Sequence, residues 1–252
     1  MKNNVVLFLV SFVLFPKLAH ASFQEYEVKR DTVTWYDEAR KRIIPVAFYT
    51  PVTDQKIKNH QVILLSHGYG ENKGYAYLEY SYIAEALASR GCFVASIQHE
   101  LPTDSLLAMD GILKITRRSN WDRGAANILF VLNELKEEKP ELNYKQVVLI
   151  GHSNGGDMSA LFTQLYPDLV AKLITLDNRR MALPRTKKPK IYSIRSSDLP
   201  ADDAVLPTAE EQKKSGATIV TLSATKHNEM DNDADSLQRK EILGYIHSFL
   251  NE

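Results

Sequence analysis

Ten residues, VVLIGHSNGG from Val147 to Gly156, constrain this chain more than any other stretch. Val147–Ile150 is a continuous aliphatic run, as expected for a strand covered on both faces. It stops at Gly151, and helical spacing follows from Asp157 to Tyr166, where Pro167 ends it. A strand must therefore pass into a helix through Gly151-His152-Ser153-Asn154-Gly155. That segment fits G-x-S-x-G, and a strand before with a helix after is the context the motif requires. Such an elbow holds the serine hydroxyl at the carboxyl edge of a sheet, beside a helix N-terminus that favours developing negative charge. The bland alternative is a glycine-rich turn. The context favours Ser153 as a nucleophile.

The flanking pattern fixes the fold class. DTVTWY and RIIPVAFYT, joined by polar DEARKR, read as an antiparallel hairpin ended by Pro51. VILLS is the first buried strand, and Ala76–Arg90 a helix capped by Gly91. FVASI follows, then an irregular segment from His99 to Asn120 and a helix from Trp121 to Glu138. After VVLI and its helix come strands LITL and IYSI. A polar helix Ala209–Lys214, strand TIVTL and an amphipathic helix Leu237–Leu250 close the chain. Strands and helices at this spacing predict an α/β fold: a mostly parallel sheet with helices on both faces and an N-terminal antiparallel hairpin.

A serine hydroxyl needs a general base within hydrogen-bond reach. Behind an elbow of this kind the acid and then the histidine follow in the chain. His227, in SATKHNEM before the final helix, is the candidate base; His247 lies inside that helix. For the acid, Asp198 in RSSDLPADD is favoured, with Asp177 directly after LITL as the alternative and Asp202 behind both. An oxyanion hole needs two converging backbone N–H groups. Asn154 supplies one, and Tyr69 in Ser66-His67-Gly68-Tyr69-Gly70 the other. His67 precedes the serine and reads as a loop-fixing residue.

With these residues in view, the chain resembles the α/β-hydrolase superfamily, and within it the bacterial dienelactone-hydrolase-like proteins and the related platelet-activating-factor acetylhydrolases. The resemblance rests on SHGYGENKGYAY, ALASRGCFVASIQHE, VVLIGHSNGGD, LITLDNRRM and KHNEM, and spans most of the chain. It implies an α/β-hydrolase fold and a Ser-acid-His esterase, with Ser153 and His227 as nucleophile and base. True dienelactone hydrolases carry a cysteine where this chain has Ser153. The acetylhydrolase pattern selects Asp177 as the acid; the commoner superfamily pattern selects Asp198.

The first 21 residues read differently from the rest. MKNN, the apolar run Val5–Phe15 and Ala19-His20-Ala21 form a secretory signal peptide cut after Ala21. The run is too short for a membrane span, which needs roughly 20 residues. Residues 22–252 are then a single exported domain, periplasmic or secreted. Without Lys2 and Lys17 it holds 29 Lys and Arg against 31 Asp and Glu, a net charge of −2. That balance gives no reason to expect a nucleic acid or an anionic membrane as partner. The single cysteine, Cys92, precludes an internal disulfide and reads as a core residue.

No phosphate loop, dinucleotide fingerprint or zinc-spaced histidine pair appears, so no cofactor and no metal is expected. His99-Glu100 reads as a strand end at the site rim. Tyr69, Tyr75, Tyr77 and Trp121 are candidate walls for an acyl pocket, and Arg117, Arg118, Arg179 and Arg180 candidate contacts to an anionic substrate. Small or medium carboxylic esters are the expected substrates. A serine peptidase or amidase with the same three residues, or a non-catalytic binding protein on the same fold, are the alternatives.

Overall fold

The computed structural model describes residues 25–54, 57 and 60–252; the signal-peptide reading of residues 1–21 lies outside them. The alternating run after Tyr26 forms the hairpin, β1 (Glu27–Asp37) and β2 (Arg42–Val52), paired antiparallel from Glu27↔Val52 to Asp37↔Arg42. Its turn is held by the Asp37 carboxylate, which accepts from Arg40 N at 3.1 Å and Arg40 Nε at 2.5 Å. Pro51 does not end β2. It lies beyond Val46–Tyr49, the stretch bonded to the next strand, where a residue without an N–H is tolerated.

The remaining strands are β3 (Gln61–Ser66), β4 (Phe93–Ile97), β5 (Asn143–His152), β6 (Lys172–Leu176), β7 (Lys190–Arg195) and β8 (Thr218–Thr221). The sheet order is β1-β2-β4-β3-β5-β6-β7-β8, with every pairing from β4 to β8 parallel. The expected mostly parallel sheet with an antiparallel hairpin is the observed one.

Helices cover both faces: α1 (Ser81–Ala88), α2 (Leu113–Thr116), α3 (Arg118–Glu138), α4 (Ser153–Leu165), α5 (Ala209–Ser215) and α6 (Ser236–Asn251). Strand residues alternate between two cores. Val147 and Leu149 pack with α3 and α4 through Ile128, Leu132, Met158 and Phe162. Val148 and Ile150 pack with α1 and α6 through Ile83, Leu87, Ile242 and Ile246. The helix expected over Ala76–Arg90 divides into a 3₁₀ turn, Ala76–Leu78, and α1. Cys92 is half-buried just before β4, against the second core, and burial pushes its thiol up to about 11.

Candidate active site

The elbow is built as the sequence requires. Ser153 is the first residue of α4 and has a φ of 50°, the left-handed region that a side chain rarely adopts. Two glycines make the close approach work. A Cβ on Gly151 would meet the Gly155 carbonyl, and one on Gly155 would collide with the carbonyl oxygens of Ser66 and His67. The first turn of α4 thus lies directly on the end of β3, with its N–H groups lacking intrahelical partners.

Ser153 Oγ lies 2.9 Å from His227 Nε2, and His227 Nδ1 lies 2.5 Å from Asp177 Oδ2. A carboxylate only accepts, so Nδ1 carries the proton and Nε2 is free to accept from the serine hydroxyl. Asp177, fully buried, also accepts from Ser196 N at 3.1 Å and Ser196 Oγ at 2.8 Å and is ion-paired with Arg195 at 2.7 Å. Burial alone would raise its pKa. The bond to His227, the Arg195 charge and the Ser196 donors outweigh burial and hold it below the usual carboxylate range.

The favoured acid, Asp198, does not reach the imidazole. Its Oδ1 accepts from the His227 backbone N–H at 2.8 Å. Strand register explains the difference. β5 and β6 are neighbours with His152 opposite Leu176, so the next residues, Ser153 and Asp177, emerge side by side. Asp198 leaves β7, one strand further out. Asp202 lies elsewhere, donating its N–H to Arg179 O at 2.9 Å.

The loop after β3 is fixed by buried side chains. His67 Nε2 accepts from His99 N at 3.0 Å, so its Nδ1–H donates to Gly68 O at 2.5 Å; burial lowers its pKa to about 4 and keeps it neutral. Gly68 N donates to Tyr80 Oη at 3.1 Å, Tyr80 Oη–H to His152 Nδ1 at 2.7 Å, and His152 Nε2–H to the His227 carbonyl at 3.0 Å. Glu100 is not at a rim: it is 1% exposed. Its two oxygens accept from Gly70 N at 3.2 Å and Asn154 Nδ2 at 3.0 Å, and burial pushes its pKa to about 7.

These loops enclose a cavity of about 480 Å³ lined by Tyr69, Asn154, Ser153 and His227, with Leu107 and Met109 from the irregular segment. Of the four expected aromatic walls, only Tyr69 lines it. Trp121 is buried beneath, donating to Asn154 Oδ1 at 2.9 Å, Tyr77 is core, and Tyr75 is exposed. Arg117, Arg179 and Arg180 line the cavity; Arg118 pairs instead with Asp122 at 2.8 Å on the surface.

Residues 61–193, more than half of the chain, match the sequence profile of the alpha/beta hydrolase fold. The chain belongs to the alpha/beta hydrolase fold family. Among solved structures, esterase Est22 is 15% identical with a TM-score of 0.63, covering 89% of this chain and 81% of that one. Esterase 2 of Thermogutta terrifontis, in its apo form, is 15% identical with a TM-score of 0.63, covering 90% and 94%. The dienelactone hydrolase-like promiscuous phosphotriesterase P91 from metagenomic libraries is 15% identical with a TM-score of 0.63, covering 89% and 98%. At these identities the likeness is one of fold. No match to this chain was found among curated protein sequences.

In this alpha/beta hydrolase, sequence reasoning missed four buried supports: Tyr80, Glu100, Arg195 and Ser196. Glu100 alone carried a signal, a carboxylate three residues after the end of the fully buried strand FVASI. Arg195 and Ser196 gave none, because their task is defined only by their neighbour Asp177.

Proposed function

We propose that this protein is a serine hydrolase of small or medium carboxylic esters, with Ser153 as nucleophile, His227 as general base and Asp177 as the acid. The observation that carries this reading is the continuous series of bonds from Ser153 Oγ through His227 to Asp177. His227 Nε2 takes the hydroxyl proton as Oγ attacks the ester carbonyl carbon. The N–H groups of Asn154 and Tyr69 hold the oxyanion. Collapse expels the alcohol, protonated by the His227 imidazolium, and leaves an acyl-Ser153. Water, deprotonated by His227, then releases the acid and restores the serine. Asp177 fixes the imidazole tautomer and stabilises the imidazolium.

An acid directly after β6 is the acetylhydrolase pattern, and it supports a place beside the platelet-activating-factor acetylhydrolases. The leader-like residues 1–21 support export, with a mature chain beginning at Ser22; N-terminal sequencing of the exported protein checks that cut. For the activity, a fluorophosphonate probe should label Ser153, located by peptide mapping, and labelling should vanish in Ser153→Ala and His227→Ala. A folded chain that takes no label would overturn the hydrolase reading. Ester turnover without peptide cleavage separates an esterase from a peptidase.

A further inference from the structure

The cavity around Ser153 is divided by charge. On one side stand Arg117, Arg179 and Arg180. Arg117 is only 6% exposed; its Nε donates to Ala108 O at 2.7 Å and its Nη2 contacts Met109 Sδ at 3.3 Å. The loop carrying the other two is pinned by Asp157, whose Oδ1 accepts from Arg179 N at 3.1 Å and Arg180 N at 2.9 Å. Asp157 Oδ1 is thus taken up by backbone N–H groups, and the carboxylate forms no ion pair with the guanidiniums. Among the described residues, none of the three guanidiniums has an ion-paired carboxylate, and their charges repel one another. Asp157 and Asp202 act on these arginines only from beyond ion-pair distance, and Arg179 Nε and Arg180 Nε have no hydrogen-bond partner, so three cations face two carboxylates and an anion would complete both the charge and the hydrogen bonds.

On the other side stand Glu79, Asp231 and Asp233, joined into one wall by Asn232 N donating to Glu79 O at 2.8 Å. Glu71 lies on that side too but is paired with Lys73. An anionic group entering the cavity is repelled from this wall and attracted to the arginines, so it has one favoured direction.

We propose that the ester substrate carries an anionic group, a carboxylate or phosphate, seated on Arg117, Arg179 and Arg180 while its carbonyl lies at Ser153. The proposal rests on the hydrolase reading above. The anion belongs either to the acyl part or to the alcohol, and matched pairs separate the two. On the acyl side, 4-nitrophenyl glutarate monoester is compared with 4-nitrophenyl valerate. On the alcohol side, 4-acetoxybenzoate is compared with 4-acetoxybenzamide, each rate divided by its rate with hydroxide.

The readout is the ratio of kcat/KM, anionic over neutral, from which a general loss of folding or catalysis cancels. We expect a ratio of about ten or more in one arm, falling about tenfold in Arg180→Gln and in Arg117→Gln. The ratio should also fall when salt is raised to about 0.5 M, as screening of partly exposed charges requires. Turnover of the neutral esters with a ratio at or below one in both arms overturns the proposal while the hydrolase reading stands. No turnover of any of the four esters by a chain whose Ser153 also takes no fluorophosphonate overturns both.

Discussion

Ser153 and Asp177 share an uncommon backbone state, with φ of 50° and 54°. Each such residue costs on the order of 1–3 kcal/mol and persists only where its surroundings enforce it. Here the enforcement is the pairing of β5 with β6 and the clasp of Arg195 and Ser196 on Asp177. The two acids near His227 should therefore separate cleanly. Asp177→Asn should lower kcat by about 10³–10⁴-fold, because an amide no longer fixes the imidazole tautomer. Asp198→Asn keeps an oxygen for the His227 backbone N–H and should lose no more than about tenfold; steady-state kinetics on one ester compares them. Glu100 supplies a pH signature. In the folded chain it holds its proton to about 7, whereas an unfolded glutamate loses it near 4.5. Between those values the folded state binds more protons, so this group removes stability as pH rises, by on the order of 2–3 kcal/mol. Melting temperatures measured from pH 5 to 7.5 should fall less steeply in Glu100→Gln than in the parent chain.

At the level of elements, α4 decides where the chemistry sits, and its start was not readable. Helical spacing points to Asp157, yet α4 begins at Ser153. Ser, Asn and two glycines are poor helix formers, so local preference hides the first turn. Contact with the end of β3 overrides that preference, and Gly155 is what permits the contact. Gly155→Ala should force α4 off the carbonyls of Ser66 and His67 and destabilise the chain by at least about 1–3 kcal/mol. For a chain of this size that lowers Tm by several degrees, roughly 2–4 °C per kcal/mol. Trp121 was equally hidden. Its helical position marks it as apolar and inward, but nothing in the spacing says that its indole N–H reaches Asn154, one residue beyond the serine. Trp121→Phe leaves a core void and an unpaired Asn154 Oδ1, so it should lower Tm by several degrees and, in the folded protein, lower kcat more than it alters KM, a split that ester kinetics resolves.

Across the whole molecule, the N-terminal hairpin and the α3–α4 layer share one core. Trp35 of β1 and Trp121 of α3, the only two tryptophans, belong to the same buried cluster. Hairpin and layer should therefore unfold together: in the parent chain and in Trp35→Phe and Trp121→Phe, tryptophan fluorescence and far-UV circular dichroism should give coincident denaturation curves. A hairpin that melted on its own would split the curves. The chain by itself determined the alternation of strands and helices, the elbow around Ser153 and the candidacy of His227, because each is written in contiguous residues as periodicity, glycine spacing or a loop position. It narrowed the acid to a short set of aspartates and stopped there. Only the tertiary structure shows which of them meets the His227 imidazole, since that depends on which strand lies beside β5 and in what register, and sheet order is a property of pairing between distant segments. The same holds for Glu100, Tyr80 and the arginine wall: residues 30 or more positions apart meet at one edge of the sheet, and no local pattern encodes that meeting.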